Sequence, residues 1–184
     1  METQGIISNF LDMVERIESA ASQFYREASK LTTNRDAQLE FRKLADMELH
    51  HERRFSDLRA KYEKQIVIIS EDQDQEAISR YVRAFQDSRV FDFNFILNNT
   101  FTGDENVSEV IQHAIGFEKD SIVFYAGLAN LVKEGILSKL LKGIIREEFD
   151  HLSRLKNLSP PPAGTARPGM RSPATSLKIP ESGI

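Results

Sequence analysis

Two of the four histidines in this 184-residue chain stand in matched settings, "ELHH" at Glu48 to His51 and "EFDH" at Glu148 to His151. Both read Glu-x-x-His, and they lie one hundred positions apart. Residues three apart on a helix project to the same side, so each glutamate and its histidine can reach a common point. The same offset relates more of the chain: Glu18, Phe24, Tyr25, Glu48 and His51 recur as Glu118, Phe124, Tyr125, Glu148 and His151. That is an internal repeat. Two related helical hairpins, packed with pseudo-twofold symmetry, would build one site from both halves.

The elements that must position these residues follow from apolar spacing of three and four. It predicts four long helices, over Ile6 to Leu31, Asp36 to Lys64, Val107 to Val132 and Ile136 to Leu158. Ser108 or Asn106 suits the start of the third as a cap, and Gly135 suits its end. The short connections "TTNRD" and "KEG" make each pair an antiparallel hairpin. Between the hairpins, Ile78, Tyr81, Val82 and Phe85 predict a short crossover helix, whereas the alternation at Phe91, Phe93 and Phe95 fits strand or helix. All six prolines fall between Ser159 and Ile184. The expected organisation is an all-α four-helix bundle with a long crossover over residues 1–158, and a disordered Pro/Ser/Gly-rich tail over 159–184.

On the inward seams, helix two presents Phe41, Leu44, Glu48, His51, Phe55 and Leu58, and helix four Leu141, Ile144, Glu148, His151 and Leu155. Helices one and three each carry one seam glutamate, Glu18 and Glu118. Glu15 is a rival to Glu18, but its repeat partner is Ile115, whereas that of Glu18 is Glu118. Turns near residues 33 and 133 put Glu18 level with Glu48 and Glu118 level with Glu148, each on the order of 22 Å from its turn. Six polar side chains therefore converge on one layer of the core. Burying one unpaired carboxylate costs several kcal/mol, and four would consume most of a domain's stability of about 5–15 kcal/mol. Two divalent cations balance four carboxylates and leave both histidines neutral as ligands. Oxygen-rich ligation with one imidazole per ion suits iron, with manganese as the alternative. His50 and His113 read as surface residues, and Glu52 and Glu147 as solvated positions beside the seam.

Charge and composition narrow the remaining classes. The net charge of −4 offers no basic stripe for nucleic acid. The absence of cysteine excludes disulfides, thiolate metal sites and thiol nucleophiles. No apolar run approaches a membrane span, and "METQGIISNF" lacks the pattern of a signal peptide, so the expected location is the cytoplasm.

"IESAASQFY", "DMELHHERRF", "GFEKDSIVFY" and "REEFDHLSRL" together resemble the metal-bearing helices of the rubrerythrin branch of the ferritin-like superfamily, over about residues 6–158. The resemblance implies a di-iron centre with Glu48 and Glu148 bridging, Glu18 and Glu118 as terminal ligands, and His51 and His151 each holding one ion. It implies reaction with peroxide or oxygen, as peroxide reduction or ferrous oxidation, and a homodimer. Tyr25 and Tyr125 lie two turns beyond the terminal ligands, either as hydrogen-bond partners of a ligand carboxylate, as radical relays, or as ordinary core tyrosines. Two departures matter. Full-length rubrerythrins carry a four-cysteine rubredoxin domain that feeds electrons to the centre; a chain without cysteine needs an external donor. They also have an extra carboxylate one turn from the third helix's ligand, where this chain has Ile115 and Ser121. Iron storage or a cargo role in a shell is the alternative, with "TSLKIP" as a docking peptide for a partner, and a di-iron hydroxylase is a third reading.

Overall fold

A run of 159 proline-free residues, much of it with a three-and-four apolar period, leaves the backbone few options other than long helices. The structure, a computed structural model, describes residues 2–64, 74–87 and 107–158. Five helices account for nearly all of them: α1 (Glu2–Leu31), α2 (Arg35–Glu63), α3 (Gln75–Asp87), α4 (Val107–Leu131) and α5 (Ile136–Leu158). The four long helices and the crossover helix stand where the apolar spacing predicts them. The alternating phenylalanines at 91–95 and the tail at 159–184 lie outside the described residues. Among the described residues no helix is long and apolar enough to cross a membrane.

Both hairpins turn tightly. Asn34 caps α2, its Oδ1 accepting the N–H groups of Asp36 and Ala37 at 2.9 and 3.1 Å, which satisfies donors that a helix start leaves open. In the second turn the expected role of Gly135 is corrected. Its carbonyl accepts the N–H of Lys139 at 3.1 Å, so Gly135 opens α5 instead of ending α4. The cap expected at Ser108 or Asn106 is narrowed by the helix bounds alone: Ser108 already lies inside α4, and Asn106 is outside the described residues.

Two apolar clusters divide the core. One joins the first half of α1 and the second half of α2 to the end of α4 and the start of α5, with Leu11, Val14, Phe55, Leu128, Leu141 and Ile144 at its centre. The other joins the far ends, with Phe24, Ala28, Phe41, Leu44, Ile111 and Leu155. The turn of one hairpin therefore lies beside the open end of the other. Such a head-to-tail pairing places the pseudo-twofold axis across the bundle, through the layer between the clusters.

The crossover helix α3 lays Ile78 and Val82 into the first cluster. Its Tyr81 hydroxyl reaches the backbone carbonyls of Val123 and Phe124, each at 3.1 Å, and Phe85 meets the Phe124 ring edge-on with centroids 4.9 Å apart. Only a glycine permits this approach at position 127, because a Cβ there would lie 2.0 Å from the Tyr81 hydroxyl oxygen. Gly127→Ala is expected to destabilise the chain by about 1–3 kcal/mol, as overpacking does. Urea unfolding in a Tyr81→Ala background checks the cause: most of that cost disappears there if the ring is what the methyl strikes.

Candidate metal centre

Between the two apolar clusters lies a layer of six polar side chains. Glu18, Glu48, Glu118 and Glu148 are at most 2 % exposed, and His51 and His151 are fully buried. Each arrives from a different position on its helix for the same reason: it occupies a seam position, so the packing that buries the neighbouring leucines and phenylalanines buries it too. The six form two overlapping groups, Glu18, Glu48, His51 and Glu148, and Glu48, Glu118, Glu148 and His151. Within each group one ligand atom per residue lies within 4.8 Å of all the others. Glu48 and Glu148 belong to both groups. The two imidazoles face each other across the layer, their planes 17° apart and centroids 5.4 Å apart.

In each half the Nδ1 atom points inward. His51 Nδ1 is 3.1 Å from Glu148, 3.2 Å from Glu48 and 3.5 Å from Glu18. His151 Nδ1 is 3.0 Å from Glu48, 3.3 Å from Glu148 and 3.6 Å from Glu118. The contact of His51 Nδ1 with Glu48 Oε2 has hydrogen-bond geometry, yet His151 Nδ1 and Glu148 Oε1 have no hydrogen-bond partner of acceptable geometry, although both are buried. These two atoms crowd against the other polar atoms of the layer without aiming at them, as ligands arranged around a shared centre would. Buried polar atoms without partners are rare. A pair of cations, one in each group, would give Glu148 Oε1 and His151 Nδ1 the partners they lack, so the residues present fit a dinuclear metal centre.

The electrostatics of the metal-free layer point the same way. Burial, aided by the charge on Glu48 and against the pull of His51, pushes the Glu18 carboxyl up to about 8. Burial and the charges of Glu148 and Glu48 hold Glu118 well above the carboxylate range. Burial also works against charge on Glu48, but contacts with His151 and His51 outweigh it and hold this carboxyl below its ordinary value. Glu148 is lowered as well: the two histidines and Glu118 overcome burial and the repulsion of Glu48. Both imidazoles, which burial alone would discharge, are raised by the carboxylates around them. Without metal, two imidazolium ions thus balance two carboxylates, and two glutamates stay neutral. Four protons occupy the charge balance that two dications would take.

Tyr25 and Tyr125 act across the repeat. The Tyr25 hydroxyl donates to Glu118, and the Tyr125 hydroxyl donates to Glu18. Each half therefore steadies a layer glutamate of the other through a buried hydroxyl. Burial and the nearby carboxylates push both phenols well above their ordinary range, so they stay protonated donors. Glu15 is drawn away from the layer by Arg59, whose guanidinium donates to both its oxygens at 2.5 and 2.7 Å. His50 and His113 are exposed, as expected. The reading of Glu147 as a solvated residue is corrected. Its Oε2 lies 2.8 Å from His51 Nε2, and its Oε1 accepts from Arg54 at 2.7 Å. Position 147 borders the seam of α5, where the neighbouring helix α2 closes over it, and seam patterning along one helix cannot show that.

These directions fix the sign of a pH effect. Glu18, Glu118, His51 and His151 each bind a proton more strongly in the folded, metal-free chain than when unfolded. The stability they contribute is complete below their unfolded values and is lost as pH rises through the folded ones. Above about pH 6.5, where free imidazole discharges, all four work in one direction up to the value near 8 for Glu18. Thermal unfolding of metal-free protein is expected at falling temperature across this interval. Metal loading removes the slope and releases about four protons per chain, since ligands bind deprotonated. Calorimetric titration in buffers of different ionisation enthalpy counts them, and release of fewer than two contradicts the charge balance.

Comparison with curated proteins and with solved structures returned no match. The rubrerythrin family profile, by contrast, matches residues 9–159, which take in most of α1, the whole of the other three long helices and every residue of the buried layer. The chain belongs to the rubrerythrin family of ferritin-like di-iron proteins.

Proposed function

We propose that this chain is a non-haem di-iron oxidoreductase that reacts with peroxide or oxygen in oxidative stress or iron homeostasis. The observation that carries this reading is the pair of four-residue groups sharing Glu48 and Glu148, each with its own inward imidazole. In this reading Glu48 and Glu148 would be shared by two iron ions, Glu18 and Glu118 would each serve one of them as terminal ligands, and His51 and His151 would hold one ion each; manganese is the alternative metal. Bound ferrous iron supplies two reducing electrons and Lewis acidity at a single point.

The residues supply the rest. The apolar clusters above and below the layer keep bulk water from it. Tyr25 and Tyr125 orient the terminal carboxylates. A glutamate of the layer that changes its coordination while an oxidant is reduced would be placed to carry a proton. No further acid or base is needed at the layer. Electrons return from an external donor.

A second reading, ferrous oxidation coupled to iron storage, is favoured by one specific feature. One turn to either side of Glu118 stand Ile115, 7 % exposed, and the half-buried Ser121, so neither place offers another carboxylate to the layer. A homodimer, a cytoplasmic location, the division at residue 158 and a docking role for the tail complete the proposal on grounds of composition and family resemblance.

Anaerobic ferrous titration followed by mixing with peroxide or oxygen tests both readings. Saturation at about two irons per chain, with oxidation faster by peroxide than by oxygen, is expected of the oxidoreductase. Oxygen-driven oxidation continuing far beyond two irons would favour storage. Glu148→Ala, which removes a residue common to both groups, is expected to abolish saturation at two, and unchanged binding in that variant would overturn the assignment.

A further inference from the structure

The two halves match at every residue of the buried layer but not immediately outside it. His51 Nε2 meets Glu147 at 2.8 Å, and Arg54 fixes Glu147 in turn at 2.7 Å. Arg54 reaches across to α5 over Gly143, where a Cβ would lie 3.0 Å from its Nη2. One hundred positions away, the place of Glu147 is taken by Met47, half-buried and unable to accept a strong hydrogen bond. The counterpart of Arg54 is Arg154, but it pairs with Glu40 at 2.8 Å, two turns before Glu48. His151 Nε2 is left buried with no hydrogen-bond partner among the described residues.

We propose that Glu147 is a positioning residue that makes the two metal positions unequal, so that the one at His51 binds its ion more tightly and fills first. This inference rests on the dinuclear reading above. A carboxylate accepting the outer N–H of a ligating imidazole fixes its tautomer, holds the ring in place and raises the basicity of the inner nitrogen. Loss of such a partner typically lowers metal affinity by about 10–100-fold. His51 has this support and His151 does not. An ion at His151 therefore has a weaker ligand and is the more readily lost or exchanged of the two. The bridging pair Glu48 and Glu148 cannot offset the difference, because it serves both positions equally.

Two ions sharing bridging ligands repel each other, so stepwise filling of the wild-type chain would not by itself reveal inequality. Single-imidazole variants remove that ambiguity. Metal-free full-length His151→Ala keeps only the supported histidine, and His51→Ala only the unsupported one. With cobalt(II) as the probe, followed by its visible ligand-field bands under anaerobic conditions, the first ion is expected to bind His151→Ala about 10–100-fold more tightly than His51→Ala. Adding Glu147→Leu to His151→Ala should erase that advantage. Adding Met47→Glu to His51→Ala should confer it, a gain that general loosening of the fold cannot produce. Equal affinities in the two single variants, or no response to either second substitution, would overturn the inference while leaving the dinuclear centre standing. Failure of the wild-type chain to bind two cobalt ions would overturn the centre itself.

Discussion

Four glutamates in one dry layer cannot all be charged unless positive charge is buried with them, and the rest of the structure is organised around this constraint. At an effective interior dielectric their mutual repulsion alone would exceed the margin by which a domain is stable. The layer meets the constraint in either of two ways. Protons on His51, His151, Glu18 and Glu118 neutralise it in the metal-free chain, and two dications can replace them. Because each state is near neutrality, the same helix packing serves both. Glu48 and Glu148 remain anionic throughout, which suits the two residues that belong to both ligand groups.

The bundle's architecture follows from holding that layer away from water. Helices of 23 to 30 residues are long enough to put an apolar cluster on each side of it. Head-to-tail pairing of the hairpins then places both tyrosines where they can serve the opposite half, Tyr25 on Glu118 and Tyr125 on Glu18. Neither hairpin completes the site by itself, since each four-residue group draws on both halves. The packing that buries Phe41 and Leu141 also brings Glu48 beside Glu148, so building the bundle builds the polar layer.

Much of this was legible in the sequence because helical periodicity and metal ligation obey short-range rules. The seam residues, the hundred-position repeat and the matching distances from each turn are all properties of one chain read locally. They mark out the six residues of the layer without reference to any tertiary contact. What periodicity could not show depends on how neighbouring helices approach each other. Glu147 lies one residue from the seam of α5 and looks like a surface position until α2 brings His51 and Arg54 to it. The destinations of the tyrosine hydroxyls were likewise open, because a two-turn offset along one helix says nothing about the carboxylate opposite. Gly135 was misread for a local reason: glycine can end a helix or open the next, and only the bond from Lys139 distinguishes the two.

Where the duplicated halves agree and where they part has a physical logic. At the layer, replacing any of the six residues would leave a buried charge without its partner, so the two copies have little freedom to diverge. One step outward the penalty falls. Positions 47 and 147 are only half-buried, and a methionine can pack where a glutamate would otherwise need a partner. The difference between them leaves the fold intact yet changes what the adjoining imidazole can donate. An internal repeat can in this way keep a symmetric ligand set while acquiring two chemically distinct positions. For the proposed redox centre, which would give up electrons to an oxidant and then recover them, that distinction would let one ion stay anchored while its neighbour changed its ligands.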